Sequence, residues 1–218
     1  MEEKSKRYQV KNRYVFILTV TVICSFLLSL MYTILKDDFV RNEKNDSKKN
    51  ILISIGVDRH LLSDNRKVEE LYDEMIIETE TPNGLPLYKG IVDNKVETFI
   101  IPISGLGLWD ILYGYFAIDS DSLYVKGITF YSHAETPGLG GEVDAEWFQQ
   151  QFIGKQIFNE NNELVSIQVI KSGLNPKPGY ENYTVSGISG ATITSVGLEK
   201  FLKDDLSKYE TFLKGELE

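Results

Sequence analysis

One cysteine, Cys24, and two histidines, His60 and His133, are all that 218 residues offer of the softer metal-binding side chains. A lone thiol closes no intrachain disulfide and builds neither a zinc ribbon nor a cysteine-ligated iron–sulfur cluster. Two imidazoles are too few for a histidine cage. If the chain does redox chemistry, the cofactor is organic or comes from a partner. Basic charge is also scarce in the body of the chain. Residues 1–13 carry a net +3 and residues 36–49 a net +1, so residues 50–218 carry −13 of the total of −9. A body that acidic repels nucleic acid and does not lie flat on anionic lipid. It has no basic stripe, no internal repeat and no low-complexity block.

Charge of either sign is missing from Tyr14 to Leu35, 22 consecutive positions. About 20 apolar residues span a bilayer core as a helix. The run ends in Tyr-Thr-Ile-Leu-Lys-Asp-Asp, which offers no small-residue cleavage site, so it reads as a permanent anchor rather than a signal peptide. A single span without internal charge is no ion pathway by itself. Five Lys/Arg flank it on each side, so the positive-inside rule gives a tie. The expected organisation is a tail at 1–13, a transmembrane helix at 14–35, a polar linker at 36–49 and one domain at 50–218. The linker is either a helical continuation of the anchor or a flexible tether.

Within the body, Val68, Leu71, Tyr72, Met75 and Ile76 recur at helical spacing and predict an amphipathic helix. Val96 to Ile103, Tyr113 to Ile118 and Leu123 to Tyr131 read as strands, the last two joined by a turn at Asp119-Ser-Asp-Ser122. A second helix is expected after Asp144, carrying Trp147, Phe148 and Phe152, and a strand over Leu164 to Ile170. Leu198, Phe201, Leu202, Leu206, Tyr209 and Leu213 mark a closing helix, with Thr194 or Ser195 as its expected cap. Strands and helices segregate, which predicts an α+β domain with a mainly antiparallel sheet and flanking helices behind one N-terminal transmembrane helix.

Three segments carry candidate chemistry. Val185-Ser-Gly-Ile-Ser-Gly-Ala-Thr-Ile-Thr-Ser195 is a glycine- and hydroxyl-rich turn opening directly into the closing helix. Glycines let backbone approach a ligand, and a helix N-terminus offers unpaired N–H groups to an anion such as phosphate. Gly187-Ile-Ser189-Gly-Ala191 also falls one residue short of a nucleophile elbow, with Ala191 where glycine should stand. Ser132-His-Ala-Glu-Thr-Pro-Gly-Leu-Gly-Gly-Glu142 is a tight irregular loop whose N–H groups can meet a planar cofactor's edge while Leu139 covers a face. Spacing alone favours a plain connection between strand and helix. In Gly105-Leu-Gly-Leu-Trp-Asp-Ile-Leu-Tyr-Gly114, the Trp109 and Tyr113 rings either wall a planar cofactor or fill the core.

The first two segments resemble, in the same order, the Ser-Gly-Ala-Thr attachment site and the Glu-Thr-Pro-Gly-Leu-Gly loop of two membrane redox flavoprotein families, NqrC and RnfG. The Gly-Leu-Trp…Tyr-Gly segment is similar to NqrC in particular. That resemblance implies FMN held covalently through a phosphoester on Thr192, within a loop of Ser189, Gly190, Ala191, Thr194 and Ser195. It implies further contacts from Glu135, Thr136, Gly138, Leu139, Gly140, Trp109 and Tyr113. It also implies a cytoplasmic N-terminus, a periplasmic body on the bacterial inner membrane, and modification by a flavin transferase. The other members of a six-subunit Nqr complex, coupling NADH oxidation and quinone reduction to Na+ export, are the implied partners. Ser186 departs from the pattern, which has Asp six residues before the acceptor. The rival readings are RnfG, with ferredoxin and NAD as its complex's substrates, and a flavin-free anchored binding module.

Overall fold

A computed structural model describes residues 2–216. The chain divides into two compact units, residues 1–44 and 45–218. Helix α1 runs over Glu2–Ser54, so the polar linker is helical. Among the described residues, one helix is long and apolar enough to cross a membrane. Its threonine hydroxyls are dealt with locally, since Thr19, Thr21 and Thr33 donate to the carbonyls of Val15, Ile17 and Ser29 one turn back. Each of these donors is thereby paired on an otherwise apolar surface.

The second unit is built on a five-stranded antiparallel sheet in sequence order. Its strands are β1 (Ile76–Glu80), β2 (Pro86–Val92), β3 (Lys95–Leu106), β4 (Ile111–Asp119) and β5 (Val125–Ser132). Helix α2 (Asn65–Met75) precedes them, and a short α3 (Glu146–Gln149) and the long α4 (Thr192–Gly215) follow. A separate pair, β6 (Gln168–Ile170) and β7 (Thr184–Ser186), is parallel. The mainly antiparallel α+β expectation therefore holds, with this short parallel pair as an addition.

Alternation along the strands splits the core into two layers. Phe99, Ile101 and Ile103 of β3, Phe116 and Ile118 of β4, and Ile128 and Phe130 of β5 pack with Leu198, Leu202 and Leu206 of α4. Ile100, Tyr115 and Ala117 pack on the opposite face with Ile51 and Leu52 from the end of α1 and Val68 and Tyr72 of α2. The last turns of α1 fit closely there. Ser47 Oγ lies 2.6 Å from the Tyr115 hydroxyl, and Thr129 donates to the Asn50 carbonyl at 3.0 Å.

Strand β2 pairs with β3 only as far as Ile100, which leaves the far half of that edge without a strand partner. Helix α4 covers it instead. The Ser104 N–H donates to the buried Asp205 carboxylate at 2.8 Å, and Gly197 lies so close to the Leu106 carbonyl that no Cβ fits between them. Covering an open edge satisfies its backbone groups and blocks pairing with other chains. The same contact fixes where the N-terminus of α4 stands.

Several local expectations need correction. The cap of α4 is neither Thr194 nor Ser195, because the helix begins at Thr192 with Ala191 at its N-cap and both residues fall inside the first turn. The expected strand over Leu164 to Ile170 shrinks to β6, since Ser166 sits at a left-handed φ of 64° that breaks extended pairing. The expected turn at Asp119–Ser122 is present, and Asp119 holds it. Its carboxylate accepts from the Ser122 N–H and hydroxyl and lies 3.3 Å from Lys126, tying the turn between β4 and β5.

Candidate functional site

The loop before α4 is held by backbone bonds and by two side chains. Gly187 N–H donates to the Ile170 carbonyl at 2.7 Å, Ala191 N–H to the Ile188 carbonyl, and Ile188 N–H to the Ser195 hydroxyl at 3.2 Å. Ser186, at the position where the resembled motif has Asp, is gripped through its backbone. Gln151 accepts from its N–H at 2.9 Å and donates to its carbonyl at 3.3 Å. Gly190 takes a φ of 76°, a left-handed conformation that glycine adopts without strain.

The result is an exposed Thr192 on the first residue of a 24-residue helix. No side chain among the described residues caps that N-terminus. Its first N–H groups, where helical dipoles concentrate positive potential, remain available to an anion. A cavity of about 240 Å³ opens beside it, lined by Ser189, Gly190, Thr192 and Ser195 and, from the end of β6, by Lys171 and Ser172. Sequence reasoning misses Lys171 and Ser172, because nothing local ties residue 171 to residue 192. The parallel pairing of β6 with β7 brings them together.

The second loop reaches the first. Gly138 has a φ of 76°, and Leu139 and Gly141 both donate to the Thr136 carbonyl, closing a tight turn. That turn presents Leu139, partly exposed, against Gly190, where an added Cβ would lie 2.8 Å from Leu139 Cδ2. Thr136 and Gly138 are exposed on the same turn, whereas Gly140 is buried.

Glu135 lies underneath, only 5% exposed. Its Oε1 accepts from the N–H groups of Leu108 and Trp109 at 2.8 and 3.0 Å, and its Oε2 from the Thr194 hydroxyl at 2.6 Å. Burial pushes this carboxyl upward, but the Thr194 hydroxyl, the two N–H groups and nearby His133 outweigh it and hold the pKa below the ordinary value. His133, for which the sequence suggests no partner, has one in Asp144, whose Oδ2 lies 2.8 Å from Nε2. That bond is the main cause of its raised pKa.

The third segment divides. The Trp109 backbone is fixed by Glu135 while its indole is 68% exposed, so the ring is not a core filler. Tyr113 lies apart. It projects on the same face of β4 as Tyr115, away from α4, with its ring 6.2 Å from that of Tyr131.

These residues fit a flavin phosphate. Uncapped helix N–H groups, the hydroxyls of Ser189 and Thr192, and the Lys171 cation form a donor set suited to a dianion. Gly190 leaves room that a side chain would close. Around it, Leu139, Leu106, Leu108, Trp109, Ile193 and Val196 are exposed apolar groups, the kind of surface a planar aromatic ring covers.

Comparison with known proteins agrees. The FMN-binding domain family matches residues 107–207. The chain is 40% identical to the C subunit of the Na(+)-translocating NADH-quinone reductase of Pseudomonas aeruginosa over 56% of its length, spanning 47% of that protein. It is 28% identical to the corresponding Vibrio alginolyticus protein, covering 89% of this chain and 90% of that one. The solved structure of the same protein from Parabacteroides distasonis superposes with a TM-score of 0.71 and 32% identity, covering 82% of this chain and 96% of that one. The Shewanella oneidensis NqrC structure, at 20% identity and a TM-score of 0.66, shares the fold.

Proposed function

Because this chain belongs to the NqrC family, the C subunits of the Na(+)-translocating NADH-quinone reductases, we propose that it is the anchored electron-carrying subunit of such a complex, bearing FMN covalently on Thr192. The observation that carries this reading is the exposed Thr192 hydroxyl at an uncapped helix N-terminus, beside a cavity that Lys171 also lines. On attachment by a flavin transferase, the Thr192 oxygen would attack the flavin-side phosphorus of a flavin dinucleotide donor: the hydroxyl loses its proton, the pyrophosphate P–O bond breaks, and a nucleoside monophosphate leaves as the phosphoester forms. Lys171 and the first N–H groups of α4 balance the charge. Leu139, Trp109 and the turn at Thr136–Gly140 fix the ring. A bound flavin supplies one-electron transfer, while the chain supplies its position and electrostatic surroundings.

On this reading NADH and quinone bind on other members of the six-subunit assembly. Membranes lacking this chain should lose NADH-driven, Na+-dependent quinone reduction, and the full-length chain should restore it. Restoration of ferredoxin-linked NAD reduction instead would transfer the chain to the RnfG reading. Restoration by a chain that never acquires flavin would favour the binding module.

Residues 1–13 lie in the cytoplasm on this reading, and residues 50–218 in the periplasm, where the transferase works. A reporter active only in the periplasm, fused after Glu218, should give full signal. A signal only from a cytoplasmic reporter would overturn both the topology and the route of flavin attachment.

A further inference from the structure

The Glu135 carboxylate binds three segments that are far apart in sequence. Its own loop follows β5, the turn at Gly107–Trp109 joins β3 to β4, and Thr194 stands in the first turn of α4. We propose that Glu135 is a positioning residue, a latch that locks the Trp109 turn to the acceptor helix and assembles the cofactor cradle before any flavin arrives. The proposal rests on the reading of Thr192 as the acceptor.

The arrangement is specific. Both carboxylate oxygens are engaged by the chain's own donors. A buried carboxylate is costly unless several donors meet it, and here three do, one of them a hydroxyl at 2.6 Å. Two glycines pack closely against it, Gly107 also against Leu112. A Cβ on Gly107 would lie 2.6 Å from Oε1, and one on Gly140 would overlap Oε2 and come within 2.7 Å of Thr194 Oγ1. The backbone of Glu135 is held as well, its N–H donating to His133 Nδ1 at 3.2 Å.

Using the Thr194 hydroxyl as donor affects the helix end. An ordinary N-cap occupies the first N–H groups of its helix with its own side chain. Glu135 instead takes a hydroxyl from the first turn and places negative charge near the positive end of α4, which is favourable. It leaves the N–H groups free for a phosphate. Through the backbone N–H groups of Leu108 and Trp109 it also holds an indole in the open, where exposure of so large an apolar ring is otherwise unfavourable.

Amide hydrogen exchange on the full-length chain in detergent, before flavin attachment, tests the latch without the cofactor. Glu135→Ala should speed exchange at Leu108 and Trp109 by about tenfold or more while Phe116 and Ile101 in the sheet stay unchanged. Glu135→Gln keeps one oxygen for the two N–H groups and turns its amide to the Thr194 oxygen, so it should restore most of the protection. Presented with a flavin transferase, Glu135→Ala should be labelled at about a tenth of the wild-type rate or less, and Glu135→Gln at about half or more, because the cost of a misplaced acceptor follows geometry. Unchanged exchange at Leu108 and Trp109 in Glu135→Ala would overturn the latch. Equal acceleration across the whole sheet would also overturn it, by reducing Glu135 to general stability. Opened amides with undiminished labelling would show that the latch does not serve the cradle. If the wild type itself takes no flavin, the Thr192 reading fails, and the exchange result still judges the latch.

Discussion

Thr192→Ala should abolish covalent flavin completely while leaving the fold intact. Wild-type chain made alongside a flavin transferase should give a fluorescent band on a denaturing gel and the mass of a phosphoester adduct. The variant should give neither. Its stability should change by no more than about 0.5 kcal/mol, because an exposed side chain at the first helical position makes few contacts to lose. Thr192→Ser, which keeps the hydroxyl, should retain labelling. Undiminished fluorescence in Thr192→Ala would move the acceptor elsewhere, and the structure narrows the choice. Thr194 is fully buried with its hydroxyl donated to Glu135, and Ser195 is buried and accepts from Ile188. Ser189 and Ser172, both exposed on the cavity, are the remaining candidates.

The second large effect is expected at Gly140, and it contrasts with Gly138 only two residues away. A side chain on Gly140 displaces the Glu135 carboxylate and the Thr194 hydroxyl together. Overpacking costs about 1–3 kcal/mol, and stranding a buried hydrogen-bonding group costs a similar amount again, so Gly140→Val should lose about 2–6 kcal/mol. It should lose flavin labelling too. Gly138→Val meets open space and suffers only its left-handed φ of 76°. The penalty there is about 1–2 kcal/mol, with labelling retained. Urea unfolding midpoints and gel fluorescence on the two variants read both quantities. Equal losses in the two would show that the loop tolerates or rejects side chains without regard to the buried carboxylate.

The parts of the fold that are legible in the sequence are those whose signal is local and periodic. The helix over Asn65–Met75, the strands around Val96, Tyr113 and Leu123, and the face of α4 all appear where spacing places them. Strands β1 and β2 are not legible in the same way. Ile76 continues the preceding helical spacing, and β2 mixes Pro86, Lys89 and Gly90 into its run. Two turn signals bracket them, Thr81-Pro-Asn-Gly84 and the Asp93-Asn94 pair. The latter takes φ values of 49° and 64°, as a tight two-residue hairpin requires.

Within the site, Thr192, Gly190 and Leu139 come from two loops that the sequence marks and that the fold brings together. Glu135 and Thr194 belong to the same two loops, and the resemblance implies that both reach the cofactor. In the structure they are bonded to each other. A carboxylate in a glycine-rich loop looks the same in a sequence whether it faces a ligand or its own chain. The outcome depends on which backbone N–H groups fold over it, here those of Leu108 and Trp109, more than twenty residues earlier.

By itself the sequence determined an uncharged span long enough for a membrane, an acidic body, the α+β class, and the hydroxyl- and glycine-rich turn ahead of α4. Each follows from composition or from spacing within a dozen residues, where local propensity and period are decisive. Tertiary structure alone decided that Lys171 lines the same cavity as Thr192, that Tyr113 turns away on the other face of β4, and that Glu135 joins three distant segments. Those outcomes depend on parallel pairing of β6 with β7, on which face of β4 each residue takes, and on α4 covering the open edge of β3. Such long-range contacts are set by burial and hydrogen-bond satisfaction over the whole domain, and no short stretch of sequence encodes them.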